Sequence, residues 1–396
     1  MDPRTNPYAP GAGTKPPALV GRDRQVESFD ILLERLERGY AERSMIITGL
    51  RGVGKTVLLD VFKENADARG WASIEWEVEK SAPFAQKIAV LARRALVQIA
   101  PKNRWGEALR DAASVLRSFS LTVRADGSVT AGLDVDARRG SADSGSLSDD
   151  LGDLFVALSK AAKEHGIGVV LLLDEIQYLT RDELEALIAA LHRCARRSLP
   201  LALVGAGLPQ IPRLAGETKS YSERLFRFVH IGALDVADAR DALLLPAHEQ
   251  GCDFEDAAID LIVEFTEGYP YFLQEYGRVA WDEAAVSPIT ATDVRAIRPL
   301  VEAGLDEGFF RVRAERTTEM ELRYLLAMAE LGPQPHRASE VAERLGRTTP
   351  QAGPIRSRLI DKGLLYTPSY ALAAFTVPQF DRYMLRTHGE LRREEK

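Results

Sequence analysis

Apolar positions fall first into short runs alternating with helical stripes, and later into helical stripes alone. After Val20, residues Val26, Phe29, Leu32, Leu33 and Leu36 share one helical face. Met45-Ile46-Ile47 reads as a short buried strand, after which Val57, Leu58, Leu59, Val61 and Phe62 resume helical spacing. A second strand is predicted at Ser73 to Val78, and a helix at Pro83 to Ile99 with Pro83 in its first turn. Val169 to Leu173 is an unbroken apolar run, the pattern of a central parallel strand covered on both faces. A helix at Asp182 to Arg197 and a strand at Leu201 to Val204 follow. Strands alternating with helices predict right-handed crossovers and an α/β parallel sheet across residues 19–233.

Three segments depart from that rhythm. Residues 1–18, punctuated by Pro and Gly, predict a flexible arm. In residues 119–135, Phe119, Leu121 and Val123, then Val129, Ala131, Leu133 and Val135, alternate with polar residues around Asp126-Gly127. This predicts a β-hairpin insertion, either an interaction arm or a structural elaboration. The small polar residues of 136–150 predict a mobile loop.

Beyond Leu234 the strand signal ends. Helical stretches at Asp235 to Leu245, Phe254 to Thr266, Tyr271 to Ala284 and Thr292 to Gly304, with Asp235 and Thr292 as caps, predict an all-helical unit over 234–310. From about Thr317 come a helix to Leu331, a short helix at Ala338 to Leu345, a turn at Gly346, a helix ending near Lys362-Gly363 and an extended pair from Leu364 to Thr376. That order describes a winged helix over 316–396.

At 396 residues the chain exceeds one typical core, which predicts two or three domains. A hydrophobic share of 45%, a charged share of 28% and a net charge of −7 suit a soluble globular protein and give no global sign of nucleic-acid or membrane binding. Cysteine occurs only at Cys194 and Cys252, which excludes a disulfide framework and a C-x-x-C metal motif. With neither an apolar leader nor a long apolar span, the expected location is the cytoplasm.

Chemistry enters at Gly49-Leu50-Arg51-Gly52-Val53-Gly54-Lys55-Thr56, a complete G-x-x-x-x-G-K-[ST] loop between a strand and a helix that opens with Val57. Its glycines let backbone N–H groups close around anionic oxygens, Lys55 can reach the β and γ phosphates, and the Thr56 hydroxyl can ligate Mg²⁺. The helix N-terminus adds a dipole that favours phosphate. Asp174 and Glu175 end the apolar run at 169–173. Beside such a loop, Asp174 would hold Mg²⁺ and Glu175 would polarise the water that attacks the γ phosphate; by themselves they also suit a helix N-terminal acid cluster. Arg224 is the candidate for an arginine supplied to a neighbouring subunit, with Arg227 as its rival and a surface ion pair as its plain alternative. In the third unit Gln351, Arg356 and Arg358 would lie along a helix able to enter a DNA major groove. Residues 316–396 carry a net charge of +3, with acids interleaved, so contact with a protein partner is an equal reading.

From Val20 to about Arg386 the chain resembles the AAA+ ATPases of the origin-recognition-complex-like group and the related STAND-type ATPases. Gly21-Arg22 resembles the upstream box that packs near adenine, Gly49 to Thr56 the Walker A loop, and Leu171 to Glu175 Walker B. Gly268-Tyr269-Pro270, locally a helix cap followed by Pro at N1, is similar to the G-x-P turn of the STAND-type lid, which implies an adenine-side contact at Pro270. The resemblance implies ATP and Mg²⁺ as ligands of a P-loop core, a helical lid and a winged helix. Two departures stand out: Gly205-Ala206-Gly207 lacks the Asn, Ser or Thr of a sensor 1, and no arginine flanks Gly268. They imply slow hydrolysis, and hence a nucleotide-held switch controlling the winged helix. The alternatives are an ATP-tuned DNA-binding initiator-like or regulatory protein and an oligomerising signalling scaffold.

Overall fold

The computed structural model describes residues 1–11, 13–125, 129, 130, 133, 135–219 and 222–390. Its first unit runs α1 (Asp23–Glu37), β1 (Ser44–Thr48), α2 (Lys55–Ala68), β2 (Ala72–Glu77), α3 (Phe84–Ile99), α4 (Glu107–Thr122), α5 (Leu147–Glu164), β3 (Val169–Asp174), α6 (Arg181–Ala195), β4 (Leu201–Gly207), α7 (Ile211–Thr218), α8 (Ser222–Leu225) and β5 (Phe226–His230). The strands form one parallel sheet in the order β2-β3-β4-β1-β5. Period-two alternation divides them between two cores: Met45, Ile47, Val170 and Leu172 pack with α1 and α2, whereas Ile46, Leu171 and Leu173 pack with α3 to α6. Burial on both faces is why β1, β3 and β4 read as continuous apolar runs. β4 lies between β1 and β3, so the ends of these three strands share one edge of the sheet.

The predicted hairpin is corrected. Phe119 and Leu121 lie in α4, whose buried Leu109, Ala112, Ala113, Leu116 and Phe119 follow a helical period. The period-two pattern at 119, 121 and 123 samples that helix too briefly, and Leu121 is 66% exposed on its outer side. Val129 and Leu133 are buried against the same core, so these residues pack instead of projecting; 126–128, 131, 132 and 134 lie outside the described residues. The loop expected over 136–150 ends at Ser146, where α5 begins. Buried Asp150 accepts bonds from Ser144 N (2.9 Å), Ser144 Oγ (2.7 Å) and Gly145 N (3.1 Å), which fix that turn.

The second unit comprises α9 (Val236–Glu249), α10 (Asp256–Thr266), α11 (Pro270–Glu283) and α12 (Ala291–Leu305). Asp235 caps α9 as expected, accepting from Asp238 N at 2.9 Å. The cap of α12 is Thr290, not Thr292, in a reciprocal capping box with Asp293. The N-terminal arm, expected to be flexible, is bound to this unit. Its N-terminal amine donates to Ala284 O (2.5 Å), Asn6 donates to Asp282 (2.8 Å), and the buried Tyr8 hydroxyl donates to Leu243 O (2.5 Å). The Tyr8 ring fills the space that a Cβ at Gly277 would need, at 2.7 Å. Ala12 of the arm lies outside the described residues.

A π-helix, Asp306–Arg311, and α13 (Val312–Ala314) lead into the third unit. It contains α14 (Glu319–Leu331), β6 (His336–Arg337), α15 (Ala338–Arg344), α16 (Thr349–Asp361), β7 (Leu365–Tyr366), β8 (Leu372–Phe375) and α17 (Phe380–His388), with an antiparallel sheet ordered β6-β8-β7. Its polar hub is Glu321, fully buried at the start of α14. The carboxylate accepts from Thr318 N (2.8 Å), Arg358 Nε (3.0 Å) and Lys362 Nζ (2.6 Å).

Burial opposes ionisation of Glu321, but these donors outweigh it and hold its carboxyl at about 2, below the usual 4.5. A depressed folded-state value stabilises above the unfolded value and ceases to do so as pH falls through the folded one. Glu321→Gln is therefore expected to destabilise the protein by roughly 1–3 kcal/mol at neutral pH, since a charged acceptor is lost from a buried site. Urea melts should show the gap between wild type and variant shrinking as pH falls from about 4.5 toward 2.

Candidate functional site

The loop between β1 and α2 needs glycine where its backbone turns left-handed, at Gly52 (φ +83°) and Gly54 (φ +89°). Gly49 is demanded by crowding instead, because a Cβ there would collide with Ile231 O and Val53. The turn aims the α2 N-terminus into a cavity of about 420 Å³, lined by Gly52, Val53, Gly54, Lys55, Thr56 and Val57 among others. Lys55 is buried and donates to Gly49 O (3.1 Å) and Leu50 O (2.8 Å). Burial lowers its pKa, while Glu175 and Asp174 oppose that shift.

Thr56 and the acid pair converge beside the loop. Thr56 Oγ1 donates to Asp174 Oδ2 at 2.6 Å, and Glu175 N donates to Asp174 Oδ1 at 2.7 Å. Burial raises the Asp174 pKa, and these bonds pull it back. A hydroxyl beside one carboxylate suits Mg²⁺, a hard cation that draws its remaining ligands from water and phosphate. Glu175 has φ +53°, a costly conformation for a residue with a side chain and one that clusters at active sites. Its carboxylate lies 3.9 Å from Arg51 Nη2 and accepts a bond from Gln177 Nε2.

Gln177 escaped the sequence reading. Its Oε1 accepts from Leu208 N at 3.1 Å and occupies the space that a Cβ at Gly207 would take. The space beside Gly207 is thus filled by a residue whose only local signal is being polar two positions after Glu175.

Arg22 and Pro270 of the lid turn both line the cavity. The buried Arg22 guanidinium donates to Gly232 O (2.7 Å), Val53 O (3.3 Å) and Gly21 O (3.1 Å). Burial lowers its pKa against the pull of Asp238. Gly21 (φ +68°) has no room for a side chain beside Asp238, and Gly268 (φ +69°) none beside Leu234 O. Pro270 opens α11 and lines the cavity, while the Tyr269 hydroxyl donates to Arg51 O. The arm supplies a further wall through Ala9, Pro10, Gly13 and Thr14. Arg224 is exposed and does not line its own chain's cavity.

The third unit sits directly on the loop. Arg51 N donates to Thr376 O (3.1 Å), Leu50 packs with Leu208, Tyr366 and Ala374, and Thr367 N donates to Gln210 Oε1 (3.2 Å). The residues expected to face DNA are engaged internally. Gln351 caps α16 through Thr348 N (3.0 Å), Arg356 bonds Thr367 Oγ1 (3.2 Å) and Leu372 O (2.7 Å), and Arg358 bonds Glu321. No helix among the described residues is long and apolar enough to cross a membrane.

Residues 18–204 match the AAA ATPase domain family, and residues 307–384 match a family described as a domain of unknown function (DUF8462). No curated protein matches. Among solved structures, the chain is similar to the Walker-type ATPase PABY2304 of Pyrococcus abyssi, with 18% identity, 92% of this chain and 96% of that one covered, and a TM-score of 0.51. The Aeropyrum pernix Orc1 protein in complex with DNA shows 16% identity over 95% of both chains at a TM-score of 0.46. The Thermotoga maritima RuvB Holliday junction branch migration motor shows 17% identity over 93% of this chain and 97% of its own, at 0.45. With a parallel sheet that sets a phosphate loop opposite an acid pair, and a domain match over residues 18–204, the first unit has the fold of an AAA+ P-loop domain.

Proposed function

We propose that this chain is a cytoplasmic, Mg²⁺-dependent ATP-binding switch with slow hydrolysis, whose nucleotide state sets the position of its C-terminal winged-helix unit. The observation that carries this reading is the seat of that unit on the crown of the phosphate loop, through Arg51 N and Leu50. The same loop would have to close on phosphate, so ligand and docked unit act on one set of backbone atoms. Lys55, now bonded to the loop's own carbonyls, would turn to the β and γ phosphates. Thr56 and Asp174 would hold Mg²⁺, which neutralises phosphate charge when bound. Glu175 would take the proton of the attacking water. Slow turnover is supported by the bond from Gln177, which keeps the Glu175 carboxylate engaged. Arg22 and Pro270 would border the base. Exposed Arg224 would act, if at all, on the pocket of a neighbouring copy. The internal bonds of Gln351, Arg356 and Arg358 favour movement of the unit or a protein contact over groove reading by α16.

Calorimetric titration with Mg²⁺–ATP should show binding by the wild type and a loss of at least tenfold in Lys55→Ala; equal affinity would sink the reading. Glu175→Gln should still bind ATP while hydrolysing it on the order of 10²-fold more slowly, the contribution expected of a positioned base. Releasing the restraint with Gln177→Ala should raise kcat severalfold with little change in KM. An unaltered kcat would remove Gln177 from the control of turnover.

A further inference from the structure

A buried amide lines the cavity at a point that neither the phosphate loop nor the acid pair accounts for. Gln274, on α11, is 9% exposed, and its Oε1 accepts a bond from Ala9 N of the arm at 3.4 Å. That backbone donor fixes the orientation of the amide, because the reverse would set its NH₂ group against an N–H. The amide nitrogen bonds to no group among the described residues. A buried donor without a partner carries the cost of its own desolvation, so this one calls for an acceptor inside the cavity.

The course of α11 sets where that acceptor would lie. The helix starts beside the loop, where a Cβ on Gly52 would stand 3.2 Å from the Tyr271 Cβ. It then leaves the loop for the arm: Gln274 meets Ala9, and Gly277 meets the Tyr8 ring. Helical rise puts Gln274 about 4.5 Å farther along the axis than Tyr271. The lining changes in the same direction. Lys55, Thr56 and Glu175 stand at the loop, whereas the arm end is bordered by Ala9 and by Ala242, the neighbour of Leu243, whose carbonyl takes the Tyr8 hydroxyl. A nucleotide has the same polarity, with charged phosphates at one end and at the other a flat base, apolar on its faces and polar at its rim. One placed polar group in an apolar wall is how such a pocket orients a ring.

We propose that Gln274 reads the base of the bound nucleotide, donating from its amide nitrogen to an unprotonated ring nitrogen of the kind adenine presents at N1, N3 and N7. This rests on the ATP-binding reading above. The arm shares in the contact, since Ala9 N holds the amide oxygen and leaves only the donor end free. A ligand made of phosphates alone gains nothing from it.

The test is calorimetry on the full chain with Mg²⁺ and five ligands: ATP, its 1-deaza, 3-deaza and 7-deaza analogues, and inorganic tripolyphosphate. Wild type should bind one of the deaza analogues about 3- to 10-fold more weakly than ATP, the range of one hydrogen bond. Gln274→Met, which keeps the volume and removes the amide, should lose a similar factor for ATP, no more than about twofold for tripolyphosphate, and nothing further for that one analogue. If Gln274 only anchors the arm, the variant would lose affinity equally for ATP and all three analogues, and the assignment would be overturned. Undiminished wild-type binding of every deaza analogue would overturn it as well, whatever the variant does. Undiminished binding of ATP and tripolyphosphate by Lys55→Ala would instead remove the reading on which the assignment rests.

Discussion

The bond from Arg51 N to Thr376 O joins the two ends of this molecule's chemistry. A phosphate loop works by presenting consecutive backbone N–H groups to an anion, and here one N–H at its crown is already given to a carbonyl that follows β8. Leu50, one residue earlier, lies in the apolar contact among Leu208, Tyr366 and Ala374. The loop cannot change shape around a ligand without disturbing both contacts. On the proposed reading the third unit's position and the loop's conformation are coupled, and a ligand would bias them only by its differential affinity for the two arrangements.

Two other walls have the same dual character. The N-terminal arm is fastened to the lid by Tyr8, whose ring needs the bare backbone of Gly277, and it then runs past the cavity as far as Gly13, near the Thr56 methyl. The lid turn places Tyr269 on Arg51 O, the carbonyl of the residue whose N–H meets Thr376. Arm, lid and C-terminal unit therefore all bear on the loop from Gly49 to Thr56, and the β-sheet beneath is the rigid body against which they act.

Much of this was legible in the sequence wherever local pattern and burial coincide. β1, β3 and β4 are buried on both faces, so their apolar runs announce them, and the loop and acid pair follow at strand ends, where each gives the other its meaning. β5 gave no comparable signal because it is an edge strand with only Phe226 buried. The misread hairpin shows the opposite failure: Phe119 and Leu121 fall on opposite sides of a helix, one buried and one exposed, and only the longer stripe from Leu109 to Phe119 separates the readings. Flexibility was misjudged in the arm because a Pro- and Gly-rich segment lacks local structure, whereas Asn6 and Tyr8 owe their order to partners hundreds of residues away. Gln177 was invisible for the same reason, since its place depends on Gly207, which no spacing in the sequence associates with it.

The bare glycines at the end of β4 are where sequence and structure differ most in consequence. Read alone, Gly205-Ala206-Gly207 lacks a polar side chain beside the γ phosphate. In the folded chain that lack makes room for Gln177, which bonds Leu208 N with its oxygen and Glu175 with its nitrogen. Leu208 in turn packs on Tyr366 and Ala374 of the C-terminal unit. A side chain on residue 207 would have sensed phosphate from a fixed strand. Gln177 instead ties the Glu175 carboxylate to a segment that the C-terminal unit clasps, so displacement of that unit would loosen the restraint on Glu175. The slow turnover proposed for this chain would then follow from a polar group that is present and engaged elsewhere, not from one that is missing.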